Sequence, residues 1–561
     1  MRYHLRKMSR QWRATNFWLR DDHRLTNATW FASADPRRPT RRAGVLFLPG
    51  IGHEEEAVAV GTPEIAGVMA ARGLMSLSID FAGNGQSPED LAQPDITKIW
   101  CRQIVKAIEY LRHNGAEKIA VIAPRLAGAL AIVAAKDARV DALVLWSPVL
   151  SGRRYQRELK MMQGTGAVDP LTKKGDISIG GFTLPAIVVE SIARLEIADV
   201  ATAPAPEVLY IEGTGRVVDD RTVGHLRELG SNVEIRTGAD TIQWLFTPSD
   251  GASVPFESAR GIADWIDDRF GDSALPQPID VGSLPTATSL SFSGKEIRES
   301  FVSVGELGLS GVMVEPVEPD PELAAVLYLS MGPGRSFVRE ARRAARDGRR
   351  ALRVDFAGFG LSPMRATQSE PELYGATGGD DVQLGVAHLL ARGASSVVIV
   401  GFCAGAWASI TCPPIKGVCG IASINVHLSV RVRKFAERSK NNQVWQRELR
   451  RSSKRTLLTK VRNRLNRLFL SAQPPVRWLT ALGNAGISVG LYFDPHDLGL
   501  QYWLKNVSRH FRRQVEQGTI EVRVYPELGH LVEGATARSS VFEDIHKFMR
   551  RCDVQKPIPH H

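Results

Sequence analysis

The segment Gly401-Phe402-Cys403-Ala404-Gly405 sets a thiol between two glycines, directly after the β-branched run Val397 to Val400 and before an alanine-containing helical stretch. A strand, a tight turn of small residues and a helix together form the setting in which a nucleophile is lifted above a sheet onto a helix N-terminus. There the backbone N–H groups and the helix dipole favour the thiolate, which is the reactive form of cysteine. The chemistry open to such a residue is attack on an acyl carbon, with the acyl group held for a time as a thioester. The bland alternative is a small buried hydrophobe, the common fate of a free cysteine. The pentapeptide alone does not separate the two.

Two partners follow in the order nucleophile, acid, histidine that such an elbow requires. After the apolar strand Ile487 to Phe493 comes Asp494-Pro495-His496-Asp497, and after the strand Ile520 to Tyr525 comes Pro526-Glu527-Leu528-Gly529-His530. Both segments are loops at strand ends, where doubly wound sheets carry their sites. His530 is expected to take the thiol proton and later return it to the leaving group, while Asp497 fixes the imidazole tautomer. Asp494 competes as the acid because it directly follows the strand, but Asp497 leaves more chain for a turn back toward His530. Taken singly, His530 reads as a solvated loop histidine and each aspartate as a turn residue bonding its own backbone. The developing oxyanion is expected to meet the backbone N–H of Ala404 and one N–H from the Met331-Gly332 turn. No metal and no cofactor are expected.

The elements that must hold these residues occur twice. DFAGNGQSP at 80–88 returns as DFAGFGLSP at 355–363. So long a period indicates duplicated domains, since solenoid repeats are much shorter. Each copy begins with an apolar strand running into a glycine turn, GVLFLPGIG from Gly44 and AVLYLSMGPG from Ala325. Each continues with a strand, a sharp turn and a helix, KIAVIAPRLAGALAIVAA from Lys118 and SSVVIVGFCAGAWASI from Ser395. Alternating strands and helices predict an α/β fold with a doubly wound, mainly parallel sheet in each copy. The expected domains are 12–270 and 290–552, joined by a Pro/Gly/Ser/Thr-rich linker over 271–289.

The first copy lacks the chemistry. Its elbow reads Ala123-Pro124-Arg125-Leu126-Ala127, and no histidine occurs between His225 and His388, so none follows its last strand. An arginine is always protonated and cannot attack a carbonyl. Arg125 is then either a packing residue of a pseudo-enzyme domain or a fork that binds a carboxylate or phosphate.

At 43% hydrophobic and 23% charged residues the composition is that of a globular protein. The five cysteines are odd in number and lack metal-ligand spacing, and no signal peptide or transmembrane span is read, which suits a cytoplasmic location. The formal charge of +11 is concentrated: Arg431 to Arg467 holds 14 basic residues against Glu437 and Glu448. Within it Leu457, Leu458, Val461, Leu465, Leu468 and Phe469 recur at helical spacing, which predicts an amphipathic cationic helix within a cap at about 428–475. One reading is a cap helix that packs its apolar stripe on the domain and solvates its charges; the other, favoured because the charge exceeds what ordinary solvation needs, is attraction to an anionic partner: a membrane surface, a phosphorylated or acidic carrier, coenzyme A or an acidic glycan. Nucleic acid is least favoured, with no recognised binding motif and no interleaved aromatics.

At these residues the chain resembles the α/β-hydrolase superfamily over nearly its whole length. More narrowly, PRLAG at the first elbow, LVLWSPVLSGRRYQREL at 143–159 and IQWLFTPS at 242–249 resemble the exosortase-system-associated hydrolases of bacterial exopolysaccharide clusters. GPGRSFVREARR at 332–343, RVDFAGFGLSP at 353–363 and GFCAGA at 401–406 resemble related hydrolases with a GxCxGA elbow, whose acid-bearing loop DLGLQY at 497–502 matches. The resemblance implies a small-molecule or glycan-linked acyl substrate, hydrolysis or acyl transfer as the reaction, and a role in bacterial cell-surface polysaccharide metabolism. A non-catalytic scaffold engaging an anionic partner through its basic segment is the rival class.

Overall fold

A computed structural model of the chain describes residues 11–21, 24–163, 172–247, 252–276, 279–330, 335–368, 371–375, 377–428, 474–530 and 532–554. The expected cap and its cationic helix lie almost wholly outside these residues, as does the Met331-Gly332 turn. The chain divides into two compact units, one of Met8–Thr288 and the other formed mainly by Ser289 onward.

In the first unit the strands are β1 (Trp12–Asp21), β2 (Arg24–Ser33), β3 (Ala43–Phe47), β4 (Met75–Ile79), β5 (Lys118–Pro124), β6 (Ala142–Trp146), β9 (Glu207–Gly213) and β10 (Asn232–Gly238). They form one sheet in the order β1-β2-β4-β3-β5-β6-β9-β10, while β7 (Ile177–Ile179) and β8 (Phe182–Leu184) make a separate hairpin. Strand β2 runs antiparallel to both β1 and β4, and from β4 to β10 every pairing is parallel. The sequences explain the positions. Strands β3 and β6 are short apolar runs buried at every residue, as a strand must be when helices cover both faces of a parallel sheet. Strand β10 mixes buried and exposed residues, in keeping with its place at the edge.

The second unit repeats the plan. Its strands are β11 (Ala287–Phe292), β12 (Lys295–Val304), β13 (Leu309–Pro316), β14 (Ala325–Ser330), β15 (Ala351–Asp355), β16 (Val397–Phe402), β17 (Val418–Ile424), β18 (Ser488–Phe493) and β19 (Ile520–Val524). They are ordered β11-β12-β13-β15-β14-β16-β17-β18-β19, with β13 antiparallel to β12 and β15 and every pairing from β15 to β19 parallel. The core gathers Leu327, Ile399, Ile421 and Val489 from four adjacent strands.

The repeated nine-residue motif is a turn that ties two strands together. Ser362 Oγ donates to the carbonyl of Asp355 at 2.6 Å and accepts the N–H of Ser310, in β13, at 2.9 Å. Ser87 does the same in the first unit, donating to the Asp80 carbonyl at 2.8 Å and accepting the N–H of Asn27, in β2, at 3.2 Å. Gly85 and Gly360 sit at φ 53° and 51°, and a Cβ on either would lie 2.2 Å from the carboxylate of Asp80 or Asp355, so only glycine fits. The motif therefore helps to build the fold.

The stretch from Gly271 is tied down over its first half. Arg42 N–H donates to the Ser273 carbonyl and Leu275 N–H to that of Thr40, each at 2.7 Å, while Arg41, 4% exposed, donates from Nε to the Gly271 carbonyl at 3.1 Å. The expected linker also carries the short 3-10 helix Val281–Ser283 and the first residues of β11 (Ala287–Phe292), so a Pro/Gly/Ser-rich composition does not prevent docking or local structure. Among the described residues no helix is long and apolar enough to cross a membrane.

Candidate active site

Strand β16 leads into Cys403 and then the helix Ala404–Thr411, as strand β5 leads into Arg125 and the helix Leu126–Ala134. Both turn residues have the same uncommon backbone, φ 50° and ψ −110° at Cys403 and φ 50° and ψ −124° at Arg125. A non-glycine residue held there costs on the order of 1–3 kcal/mol and persists only when its surroundings impose it. The two glycines flanking Cys403 allow the tight approach: a Cβ on Gly401 would lie 2.6 Å from the Ala406 nitrogen, and one on Gly405 2.5 Å from the Leu329 carbonyl oxygen. The first unit keeps the bend with Ala123 and Ala127 at these places.

In the second unit the bend brings three distant residues together. Cys403 Sγ lies 3.5 Å from His530 Nε2, and His530 Nδ1 lies 2.8 Å from Asp497 Oδ2. Of the five free cysteines, Cys403 alone is not buried. Asp497 caps the helix Leu498–Tyr502, its Oδ1 accepting the Gly499 N–H at 2.7 Å, which turns its other oxygen toward the ring. Its side chain is 2% exposed, and that of His530 is 42% exposed. Burial by itself would push the His530 pKa down; the hydrogen bonds to Asp497 and to the Cys403 sulfur, with the charges behind them, outweigh burial and push it up to about 10. The imidazolium form of His530 is thus favoured beside Cys403 and Asp497.

Asp494 has a different task. Its Oδ2 accepts the Gly529 N–H at 2.9 Å and its Oδ1 the His496 N–H at 2.7 Å, so it anchors the loop that carries His530. Asn425, fully buried and at φ 48°, completes that anchor. Its Nδ2 donates to the carbonyls of Gly529 and His530, both at 2.9 Å, and its Oδ1 accepts the Asp494 N–H at 2.9 Å. Three strand ends are thereby locked to one another by a single amide.

Asn425, Tyr374 and His427 were not legible as site residues in the sequence. The Tyr374 hydroxyl stands 3.1 Å from Cys403 Sγ. His427 is 8% exposed, with its ring centroid 5.4 Å from that of His530, and burial pushes its pKa down, keeping it neutral. Asn425 offered a faint signal, a polar residue directly after a wholly apolar strand. Tyr374 offered none, because only chain folding brings it to the sulfur. Ala404 is buried at the first position of the elbow helix.

The corresponding place in the first unit is filled. Arg125 is 3% exposed; its Nε donates to Glu54 Oε1 at 2.7 Å, one terminal nitrogen to Glu158 Oε1 at 2.8 Å and the other to the Ser147 carbonyl at 3.2 Å. Its Cζ lies 4.8 Å from the ring centre of Phe246. The fork, read as either a packing group or a receiver of an external carboxylate or phosphate, already holds two internal carboxylates, so the geometry favours packing over anion binding. His225, expected to lie before the last strand, is in the helix Asp220–Glu228 with Nε2 2.9 Å from the Val200 carbonyl oxygen. Removing one partner from a buried ion pair leaves the other charge uncompensated, which costs about 3–5 kcal/mol. Arg125→Ala is accordingly expected to destabilise the first unit by about 3 kcal/mol, read from urea unfolding, with Glu54→Gln in the same chain recovering part of the loss.

No family model and no curated protein matches the chain. Among solved structures, Est1E from Butyrivibrio proteoclasticus with ferulic acid bound is 14% identical, covering 45% of this chain and 98% of its own, with a TM-score of 0.33. A putative dienelactone hydrolase from Klebsiella pneumoniae is 16% identical, covering 46% of this chain and 99% of its own, at 0.31. The thioesterase domain from the curacin biosynthetic pathway is 12% identical, covering 45% and 98%, at 0.30. Sheet order and the strained strand-to-helix elbow make the assignment for each unit from its own geometry. The chain consists of two α/β-hydrolase folds in tandem, the second presenting cysteine, histidine and aspartate at its elbow and the first an arginine locked between two glutamates.

Proposed function

We propose that the second unit is an enzyme that cleaves an ester or thioester through an acyl-thioester on Cys403, passing the acyl group to water or to another acceptor. The observation that carries this reading is the unbroken relay from Cys403 Sγ through His530 to Asp497, with contacts of 3.5 and 2.8 Å, set on a strained elbow. With the proton held on His530 Nε2, the sulfur attacks the acyl carbon. His530 then protonates the departing group, and Asp497 keeps Nδ1–H directed at itself throughout. The Ala404 N–H, with a donor from the Met331-Gly332 turn, would receive the oxyanion.

The first unit, on this reading, is a retired copy that stabilises the chain without turning over substrate. The resemblance to exopolysaccharide-cluster hydrolases supports a substrate among acylated cell-surface glycans or their precursors. Residues 431–467 would supply attraction to an anionic carrier or membrane surface from the cytoplasmic side. The test is direct. Incubating the full chain with p-nitrophenyl acetate and digesting it should place an acetyl mass increment on the peptide bearing Cys403, and an unmodified Cys403 under turnover would rule the mechanism out.

A further inference from the structure

The Tyr374 phenol meets the one sulfur that the proposed reaction uses. Its oxygen is 3.1 Å from Cys403 Sγ, a hydrogen-bond distance to sulfur, on the opposite side of the chain's logic from His530: it comes from the loop between β15 and the helix Gly378–Ala391. Two rings hold it edge-on, Trp407 at 5.8 Å and 90° and His427 at 6.1 Å and 78°. Trp407 belongs to the elbow helix and His427 follows β17, so the phenol is braced by the same elements that set the sulfur.

We propose that Tyr374 is a catalytic residue whose hydroxyl donates a hydrogen bond to the oxyanion formed when Cys403 attacks an acyl carbon. The proposal rests on the acyl-enzyme reading above and adds to it a side-chain donor. In the resting site the phenol oxygen stands at hydrogen-bond distance from the sulfur. On attack a sulfur lone pair forms the S–C bond and the carbonyl π pair moves to oxygen, so the charge moves to an atom two bonds from the sulfur. A donor that already touches the sulfur is within reach of that oxygen without rearrangement of the backbone. Collapse re-forms the carbonyl and breaks the bond to the leaving group, which takes the proton from His530 Nε2. In the second half water or an alcohol attacks, its proton goes to His530, the same donor receives the second oxyanion, and the S–C bond breaks to restore the thiolate. Burial and then the contact with Cys403 hold the phenol's pKa well above its ordinary value, so it donates a hydrogen bond and does not give up its proton.

Tyr374→Phe tests this with two reagents on the full chain. p-Nitrophenyl acetate acylates Cys403 through an oxyanion, whereas iodoacetamide alkylates it by displacing iodide and forms none. Loss of one oxyanion donor is expected to slow acylation by about 10²-fold, while alkylation of Cys403, mapped by peptide mass, proceeds as in the unmodified protein. That alkylation also reports a folded site. Undiminished acylation in Tyr374→Phe would overturn the proposal, as would equal slowing of both reactions, which would assign the phenol to the sulfur alone. If the unmodified protein is not acylated on Cys403 at all, it is the acyl-enzyme reading that fails, and this proposal with it.

Discussion

Cys403→Ala is expected to lower ester turnover to the uncatalysed background, a loss of about 10⁵–10⁶ if nucleophile and base act as a unit. Alanine has the same backbone constraint as cysteine at φ 50°, so the bend and its strain remain while the sulfur is removed. The other four cysteines are buried, and none can substitute. Cys403→Ser is a harder comparison: the hydroxyl gives up its proton far less readily than a thiol, so the same histidine has more work to do and only residual turnover is expected. Following nitrophenolate release from p-nitrophenyl acetate checks both, and turnover in Cys403→Ala matching the parent would exclude covalent catalysis at this position.

Asp497→Asn should have the next largest effect. The amide nearly preserves the shape but can present N–H to Nδ1, which favours the wrong tautomer and removes the charge that sustains an imidazolium. Where a serine hydroxyl is the nucleophile this costs about 10⁴ in kcat; a thiol needs less help, so a loss of about 10³ is expected here. The pH profile gives a second, independent sign. With Asp497 in place the His530 pKa is pushed up to about 10, so the imidazolium needed to protonate the leaving group persists at neutral pH and is lost as pH rises through that value. Without the carboxylate the ring's pKa falls toward its ordinary value, so the alkaline limb of the kcat profile should move to lower pH. An alkaline limb at the same pH in both proteins would mean that Asp497 does not govern the ring.

Cys403, Asp497 and His530, which the fold brings together, could be picked out along the chain because each lies in a turn or loop after a strand, and strand ends are marked by local composition. Gly401 and Gly405 around Cys403 announce a bend, and the apolar run before Asp494 and the alternating run Ile520 to Tyr525 before His530 announce where strands β18 and β19 stop. The choice between Asp494 and Asp497 was harder. Both are short loop carboxylates, and only the helix cap at Gly499 and the anchor to Gly529 give them separate tasks. Tyr374 and Asn425 escaped notice because their importance is a matter of what they face. A tyrosine among Leu373 and Gly375, or an asparagine before Val426, carries no mark of a sulfur or of a carbonyl brought near from the far end of the domain.

Arg125 shows the same division from the other side. The sequence alone determined that the first copy has arginine at its elbow and no histidine between His225 and His388, since these are matters of residue type and need no folding to establish. It also determined the duplication and the alternation of strand and helix, because periodicity and burial are written locally along the chain. Whether the arginine's fork stood open to an anion was decided only by the tertiary structure, which delivers Glu54 and Glu158 to it from 71 and 33 residues away. Charge pairing is a property of distance in space, and chain order does not encode that distance until the sheet has assembled.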